Sequence, residues 1–240
     1  MNDERATEPY RWYILILATL TNAIVAAAPT MALSVLFSEI QSDLKLTLVE
    51  VGILWSIAAL PGVLVSLVGG AIGDRFGPKR LIIGIALLAG IFGGLRGWAF
   101  NFLSLIVLNT LLGGVTMLVT LAGFKTAGVW FSRRQLGMAN GILSIGMAGG
   151  FLVGSLVSAT WLSPWLGGWR NVFVFYAALS LLLIVPWSLT RSPRSSSGPM
   201  AAAAPQAASM RESLAAVGRL RLVRPDGRHQ NAEGLRRMYR

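Results

Sequence analysis

The sequence predicts an all-α membrane protein, a bundle of six transmembrane helices, on three observations. Hydrophobic residues make up 54% of the 240 residues, and charged residues only 13%. The charges lie in short patches between apolar runs of about 20 residues or more, the length that crosses the hydrocarbon core of a bilayer. These runs lack the alternation of barrel strands, and an unpaired peptide group in lipid costs several kcal/mol. Each run is therefore expected to be a helix.

Six such runs are called spans 1 to 6 in chain order. They cover residues 12–37, 48–70, 81–99, 102–130, 138–162 and 171–189. Because the connections are short, we expect consecutive spans to pack antiparallel. Span 1 is too long for a signal peptide and is followed by further spans, so it is expected to be retained. The predicted organisation is an N-terminal segment 1–11, a six-helix bundle 12–190 and a basic, partly disordered tail 191–240.

The distribution of lysine and arginine predicts the orientation of the bundle. Basic residues cluster before span 1 and after spans 2, 4 and 6, whereas the opposite connections carry few. Both termini are therefore expected in the cytoplasm, in a multi-pass protein of the inner (plasma) membrane. Most of the formal net charge of +11 lies in the tail, where 10 arginines face 3 acidic residues. Attraction to an anionic membrane surface explains this charge, and nucleic acid is not an expected partner.

The connection between spans 2 and 3 carries a charged, glycine-bearing motif. Its residues are Gly70, Gly73, Asp74, Arg75, Gly77, Lys79 and Arg80. The two inner glycines permit a sharp turn and close helix approach. The motif resembles the signature G-x-x-x-D-[RK]-x-G-[RK]-[RK] between helices 2 and 3 of the major facilitator superfamily, with Pro78 where a basic residue is common. An ordinary positive-inside loop is the alternative interpretation.

The stretch from the end of span 4 into span 5 is similar to the same superfamily. It contains Trp130, Phe131, Arg133 and Arg134, and span 5 then repeats small residues. The glycines expected to form a helix-packing face are Gly137, Gly141, Gly146, Gly150 and Gly154. In the superfamily this face lies where helix 5 meets the opposite half of the carrier. Simple small-residue packing is the alternative.

The resemblance implies transport of a small solute by alternating access, in which two six-helix bundles rock about a site near the midplane. It also implies a conformational gating role for the motif of spans 2 and 3, with Arg133 or Arg134 opposite Asp74, Arg75 and Arg80. Carriers of this superfamily ordinarily have twelve helices. This chain is therefore expected to supply one half, acting as a homodimer or with a separate second half. A non-transporting truncated or frameshifted remnant is the alternative.

Polar groups in the spans suggest the solute site, because helices 1 and 4 usually line the cavity in this superfamily. Span 1 carries Thr19, Thr21, Asn22 and Thr30 around an interruption near Pro29, and span 4 carries Asn109, Thr110, Thr116, Thr120 and Lys125. The candidate substrate-binding residues are Asn22, Arg96, Asn109 and Lys125. For the polar side chains, bonding back to their own helix is the alternative. For the two cations, it is snorkelling to the headgroups.

Apart from Glu50 at the outer rim of span 2, the spans contain no Asp, Glu or His, so the fixed charge of the cavity is expected to be cationic or zero and the solute anionic or neutral. Arg96 and Lys125 are placed as in carriers of small anions such as the cyanate permease group, whereas residues 146–154 lack the asparagine of nitrate carriers. We predict no catalytic residue, metal site or cofactor. The chain has no cysteine, and a rhomboid-type intramembrane protease is disfavoured because no span contains His and no G-x-S-x-G elbow exists.

Overall fold

The computed structural model describes the backbone of residues 2–190 and the side chains of residues 9–58, 60–62, 65 and 79–190. The tail 191–240 lies outside the described residues. The side chains of Gly70, Gly73, Asp74, Arg75 and Gly77 also lie outside them, so the gating role expected of these residues stays a prediction.

The described backbone is helical throughout, joined by short turns, and contains no strand. The α-helices in chain order are α1 Asn2–Thr21, α2 Ala28–Val35, α3 Phe37–Leu44, α4 Leu48–Ile57, α5 Ala59–Leu95, α6 Phe102–Trp130, α7 Arg133–Val157, α8 Ser163–Leu166, α9 Trp169–Leu182 and α10 Ile184–Leu189. A 3₁₀ turn, Arg96–Trp98, follows α5.

Five of the continuous helical stretches are long and apolar enough to cross a membrane. They are Pro9–Val35, Lys79–Trp98, Phe102–Trp130, Arg133–Leu166 and Trp169–Leu189, which correspond to spans 1, 3, 4, 5 and 6. A shorter apolar helix, Leu48–Gly62, lies within span 2. The all-α membrane fold is confirmed, and the observed ends of these five spans lie within five residues of the predicted ones.

The helical segment α5 includes the predicted connection between spans 2 and 3. A straight helix of 37 residues would hold its ends about 55 Å apart. Yet Asn109 hydrogen-bonds both the Leu54 carbonyl before α5 and Arg96 after it. The chain therefore reverses within α5, which makes spans 2 and 3 an antiparallel pair. This reversal agrees with the turn predicted between spans 2 and 3.

Two π-helical segments interrupt the spans, each just before a proline. Asn22–Ala27 precedes Pro29 in span 1, and Ser158–Leu162 precedes Pro164 in span 5. Proline has no N–H for the carbonyl one turn earlier, and a π segment shifts the hydrogen-bond register around such a site. The interruption predicted near Pro29 therefore takes the form of a π segment rather than a loop.

The buried apolar side chains form two clusters along the length of the bundle. One cluster, from Ile14 to Trp187, occupies the end near Arg133, which we call the basic end. The other, from Ala28 to Tyr176, occupies the opposite end. Along span 4 the first cluster includes Leu112 and the second Leu105, so Asn109 lies where the two meet.

Candidate functional site

A cavity of ≈ 430 Å³ lies among spans 1 to 5. Span 1 contributes Ala26, Ala27, Thr30 and Leu33; span 2 contributes Trp55, Ala58 and Gly62. Span 4 contributes the largest share, from Asn109 to Thr120, and span 5 contributes Met147 and Phe151. The wall is mostly apolar, and Arg96 at the end of span 3 supplies its charge. Cavities of about 300 to 1,000 Å³ with few convergent polar groups are typical of small-molecule sites.

Arg96 is buried by protein and does not snorkel, since only 2% of its surface is exposed. Its Nη1 donates to Asn109 Oδ1 at 3.0 Å, and its Cζ lies 4.2 Å from the centre of the Phe173 ring. Among the described residues, Nε has no hydrogen-bond partner. A charge in the middle of a bilayer costs about 2.5 to 3.5 kcal/mol. A buried arginine whose described partners include no carboxylate therefore points to a function.

Asn109, which is 3% exposed, joins Arg96 to span 2. Its Nδ2 donates to the Leu54 carbonyl at 2.9 Å. In an unbroken helix that carbonyl would accept from the Ala58 N–H, but Ala58 donates to the Ser56 carbonyl where α4 ends. The break in span 2 therefore creates a backbone acceptor, and the Asn109 amide satisfies it.

Three threonine hydroxyls also line the cavity. Thr30, Thr116 and Thr120 each donate to a carbonyl of their own helix, at 2.7, 3.0 and 3.4 Å. A hydroxyl that donates in this way keeps its oxygen lone pairs as acceptors. The cavity thus combines one guanidinium with several hydroxyl acceptors.

Asn22 and Lys125 do not line this cavity. Asn22 is buried in the π segment of span 1, and its Nδ2 donates to the Ala18 carbonyl at 3.0 Å, which is the back-bonding alternative. Its amide also lies against Gly123 of span 4. Lys125 is partly buried nearer the basic end. Contact of either side chain with a solute stays a prediction, whereas Arg96 and Asn109 are brought together on the cavity wall.

The described members of the gating motif lie at the basic end. Lys79 Nζ donates to the carbonyls of Ser188, at 2.8 Å, and Thr190. It therefore caps the C-terminal end of span 6, where a cation is favoured by the helix dipole. Arg80, Arg133 and Arg134 are exposed. Their gating role stays a prediction.

The glycines of span 5 separate into two groups. A Cβ added to Gly150 would lie 2.7 Å from Ala23 Cα, and one added to Gly154 would lie 2.7 Å from Ala28 Cα. A Cβ added to Gly146 would lie still closer to the Thr19 side chain. A Cβ on Gly137 or Gly141 would meet nothing within 4 Å. Within the described residues, close packing of this helix is therefore against span 1 of the same bundle.

Sequence reasoning identified Arg96 and Asn109 but not the groups that complete their surroundings. Phe173 under the guanidinium, the Leu54 carbonyl and the apolar wall of Trp55, Met147 and Phe151 carry no local signal. Pro61 is a local signal for a break in span 2 that the sequence analysis did not use. Only the packing of spans 2, 4 and 6 shows which groups meet there.

The sequence model of the Major Facilitator Superfamily matches residues 16–226. The chain belongs to this superfamily. A protein of Cupriavidus necator named "Probable sulfoacetate transporter SauU" is 31% identical over 59% of this chain and 33% of its own length. The hexuronate transporter of Bacillus subtilis is 26% identical over 65% of this chain and 36% of its own length. A protein of Escherichia coli named "Probable L-galactonate transporter" is 25% identical over 69% of this chain and 36% of its own length. The chain thus spans about a third of the length of these relatives.

Solved structures show the same fold. An inward-facing, occupied bacterial homologue of the human lysosomal transporter Spinster superposes with a TM-score of 0.65 at 21% identity. The match covers 80% of this chain and 47% of that one. The described bundle is therefore similar to half of a carrier of this fold.

Proposed function

We propose that this chain transports a small organic anion by alternating access, with the cavity as its share of the solute site. The observation that carries the proposal is Arg96, a buried cation on the cavity wall whose described partners are an amide and an aromatic ring. A guanidinium keeps its charge at neutral pH and binds carboxylates through its planar fork. This favours an anionic solute over a neutral one.

The hydroxyl acceptors favour an organic acid that also carries hydroxyl groups. Thr30, Thr116 and Thr120 can accept from solute hydroxyls while they donate to their own helices. The relatives named for hexuronate and L-galactonate support this choice, because both compounds are hydroxylated carboxylates. The volume of ≈ 430 Å³ is sufficient for such a molecule.

The proposal includes a second six-helix bundle, since alternating access requires two bundles around one site. That bundle could be supplied by a second copy of this chain or by a separate half. The lipid bilayer is the surrounding medium, and the positive-inside rule favours the basic end in the cytoplasm. The exposed arginines and the capping lysine at that end support this orientation.

Binding of D-glucuronate and its neutral analogue D-glucuronamide to the full chain in lipid nanodiscs tests the proposal. Wild type should prefer glucuronate. Arg96→Gln should weaken glucuronate binding by about 10-fold to 100-fold, since hydrogen bonds to charged groups contribute about 1.5 to 3 kcal/mol. Arg96→Lys keeps the positive charge but lacks the planar fork of the guanidinium. Its affinity for glucuronate should lie between those of wild type and Arg96→Gln.

Lys45→Gln is the control, because Lys45 is an exposed cation that neither lines the cavity nor belongs to the gating motif. It should bind glucuronate as wild type does. Equal affinity of wild type for glucuronate and glucuronamide would overturn the anion proposal, and so would unchanged glucuronate binding in a folded Arg96→Gln variant.

A further inference from the structure

We infer that Asn109 is a positioning residue that sets the anion selectivity of the cavity, by holding Arg96 with a neutral partner. The inference rests on the proposed function, since it concerns the same site. It differs from the sequence prediction that Asn109 binds the solute. Here Asn109 acts on the solute through Arg96.

Two described contacts hold the guanidinium of Arg96. Asn109 engages Nη1 at 3.0 Å, and Phe173 covers one face of the guanidinium. Among the described residues, no hydrogen bond reaches Nε or Nη2. These two nitrogens form the edge of the guanidinium that receives a carboxylate through two parallel hydrogen bonds. The described contacts therefore fix the group, and Nε is buried with its hydrogen-bonding capacity unused.

A contact with span 2 fixes the orientation of Asn109. Its Nδ2 is committed to the Leu54 carbonyl, which can only accept a hydrogen bond. A flipped amide would place oxygen against oxygen at Leu54 and nitrogen against the Arg96 donor. The backbone of span 2 therefore determines that Asn109 presents its oxygen to Arg96. The amide oxygen and the amide nitrogen of Asn109 each have a protein partner. The side chain is therefore better placed to hold Arg96 than to contact the solute.

The neutral amide of Asn109 leaves the positive charge of Arg96 unpaired by it. An amide oxygen satisfies Nη1 without neutralising the guanidinium, whereas a carboxylate at the same place would form an ion pair with it. In a low-dielectric cavity such a pair is strongly favoured by the mutual attraction of its charges. An anionic solute would then meet a site of zero net charge. An amide at position 109 thus keeps the positive charge of Arg96 for the solute.

The test compares Asn109→Asp, which has nearly the same shape, with Asn109→Ser, which removes the amide but adds no charge. The full chain in nanodiscs is titrated with D-glucuronate and D-glucuronamide, and the ratio of the two affinities is the readout. Asn109→Asp should reduce a wild-type ratio of about 10 or more to about 1. Asn109→Ser should lower both affinities and keep the ratio in favour of glucuronate.

A folded Asn109→Asp variant that retains the wild-type ratio would overturn the inference. If Asn109→Asp does not fold, Asn109→Ser is measured in the Arg96→Gln background, where it should lower glucuronate affinity no further because Asn109 acts through Arg96. A further loss there as large as in the wild-type background would also overturn the inference. A merely structural role would change the two affinities in parallel in both variants. Failure of the proposed function is distinguishable, because wild type itself would then show no preference that depends on Arg96.

Discussion

Single polar side chains connect distant spans at a few buried positions. Trp187 of span 6 donates from Nε1 to Thr21 Oγ1 of span 1 at 2.8 Å, and the two residues are 2% and 1% exposed. Thr21 in turn donates to the Leu17 carbonyl. The sequence suggested Thr21 as one of several polar groups around a cavity. In the structure its hydroxyl is committed to holding the first and last spans together.

Thr21→Val should therefore destabilise the bundle. It removes the acceptor of the buried indole N–H, and hydrogen bonds between transmembrane helices contribute about 0.6 to 1.7 kcal/mol. We expect the free energy of unfolding to fall by about 1 kcal/mol, measured by titration with denaturing detergent. Thr110→Val is the control, since the described hydrogen bond of the Thr110 hydroxyl is to the Ile106 carbonyl of its own helix. Equal losses in the two variants would contradict an interhelical role.

At the scale of the helix, the glycines of span 5 show what residue spacing alone leaves open. The sequence predicts one packing face from Gly137 to Gly154. Gly146, however, comes five positions after Gly141, which places it about 140° further around the helix. Gly146, Gly150 and Gly154 are four apart and lie against span 1, while Gly137 and Gly141 face open space.

Gly150→Ala should prevent this close approach of spans 5 and 1. The new methyl would lie 2.7 Å from Ala23 Cα and 2.8 Å from Ala27 Cβ, so backbone would have to move. Overpacking of this kind costs about 1 to 3 kcal/mol. The expected result is a lower unfolding midpoint in detergent. Gly141→Ala, with nothing within 4 Å of its methyl, should keep the wild-type midpoint. If Gly150→Ala kept the unfolding midpoint of wild type, the prediction would be wrong, because spans 5 and 1 could then move apart at little cost.

For the whole molecule, a polar cluster ties the elements at the end opposite the basic one. Arg170 Nη2 contacts Asp43 Oδ2 at 2.8 Å, and the Trp169 indole donates to the same carboxylate oxygen at 3.1 Å. Ser163 donates to the Glu39 carboxylate. These contacts join the segment after span 1 to spans 5 and 6. At the basic end, Lys79 caps the C-terminal end of span 6.

The orientation of the two ends can be measured directly, because the chain contains no cysteine. Ser42 is exposed beside Asp43, and Ser132 is exposed beside Arg133. With the basic end in the cytoplasm, Ser42→Cys should react with a membrane-impermeant maleimide in intact cells. Ser132→Cys should react only after permeabilisation. The reversed labelling pattern would overturn the orientation, and labelling of both variants in intact cells would show two orientations.

The sequence by itself determined the all-α membrane fold, the positions of the spans and the superfamily. These properties follow from hydropathy and short motifs, which are local along the chain. It also located Arg96 as a cation that needs an explanation. Burial by protein rather than snorkelling could not be read from it, because Arg96 lies near a helix end and either outcome fits that position.

Only the tertiary structure decided which of the predicted polar residues share a cavity. Arg96 and Asn109 meet there, whereas Asn22 and Thr21 bond elsewhere. The contacts of Asn109 with Leu54 and of Arg96 with Phe173 join residues far apart in the chain. They depend on the rotation of each helix and on the break in span 2, which only the packing of the whole bundle sets.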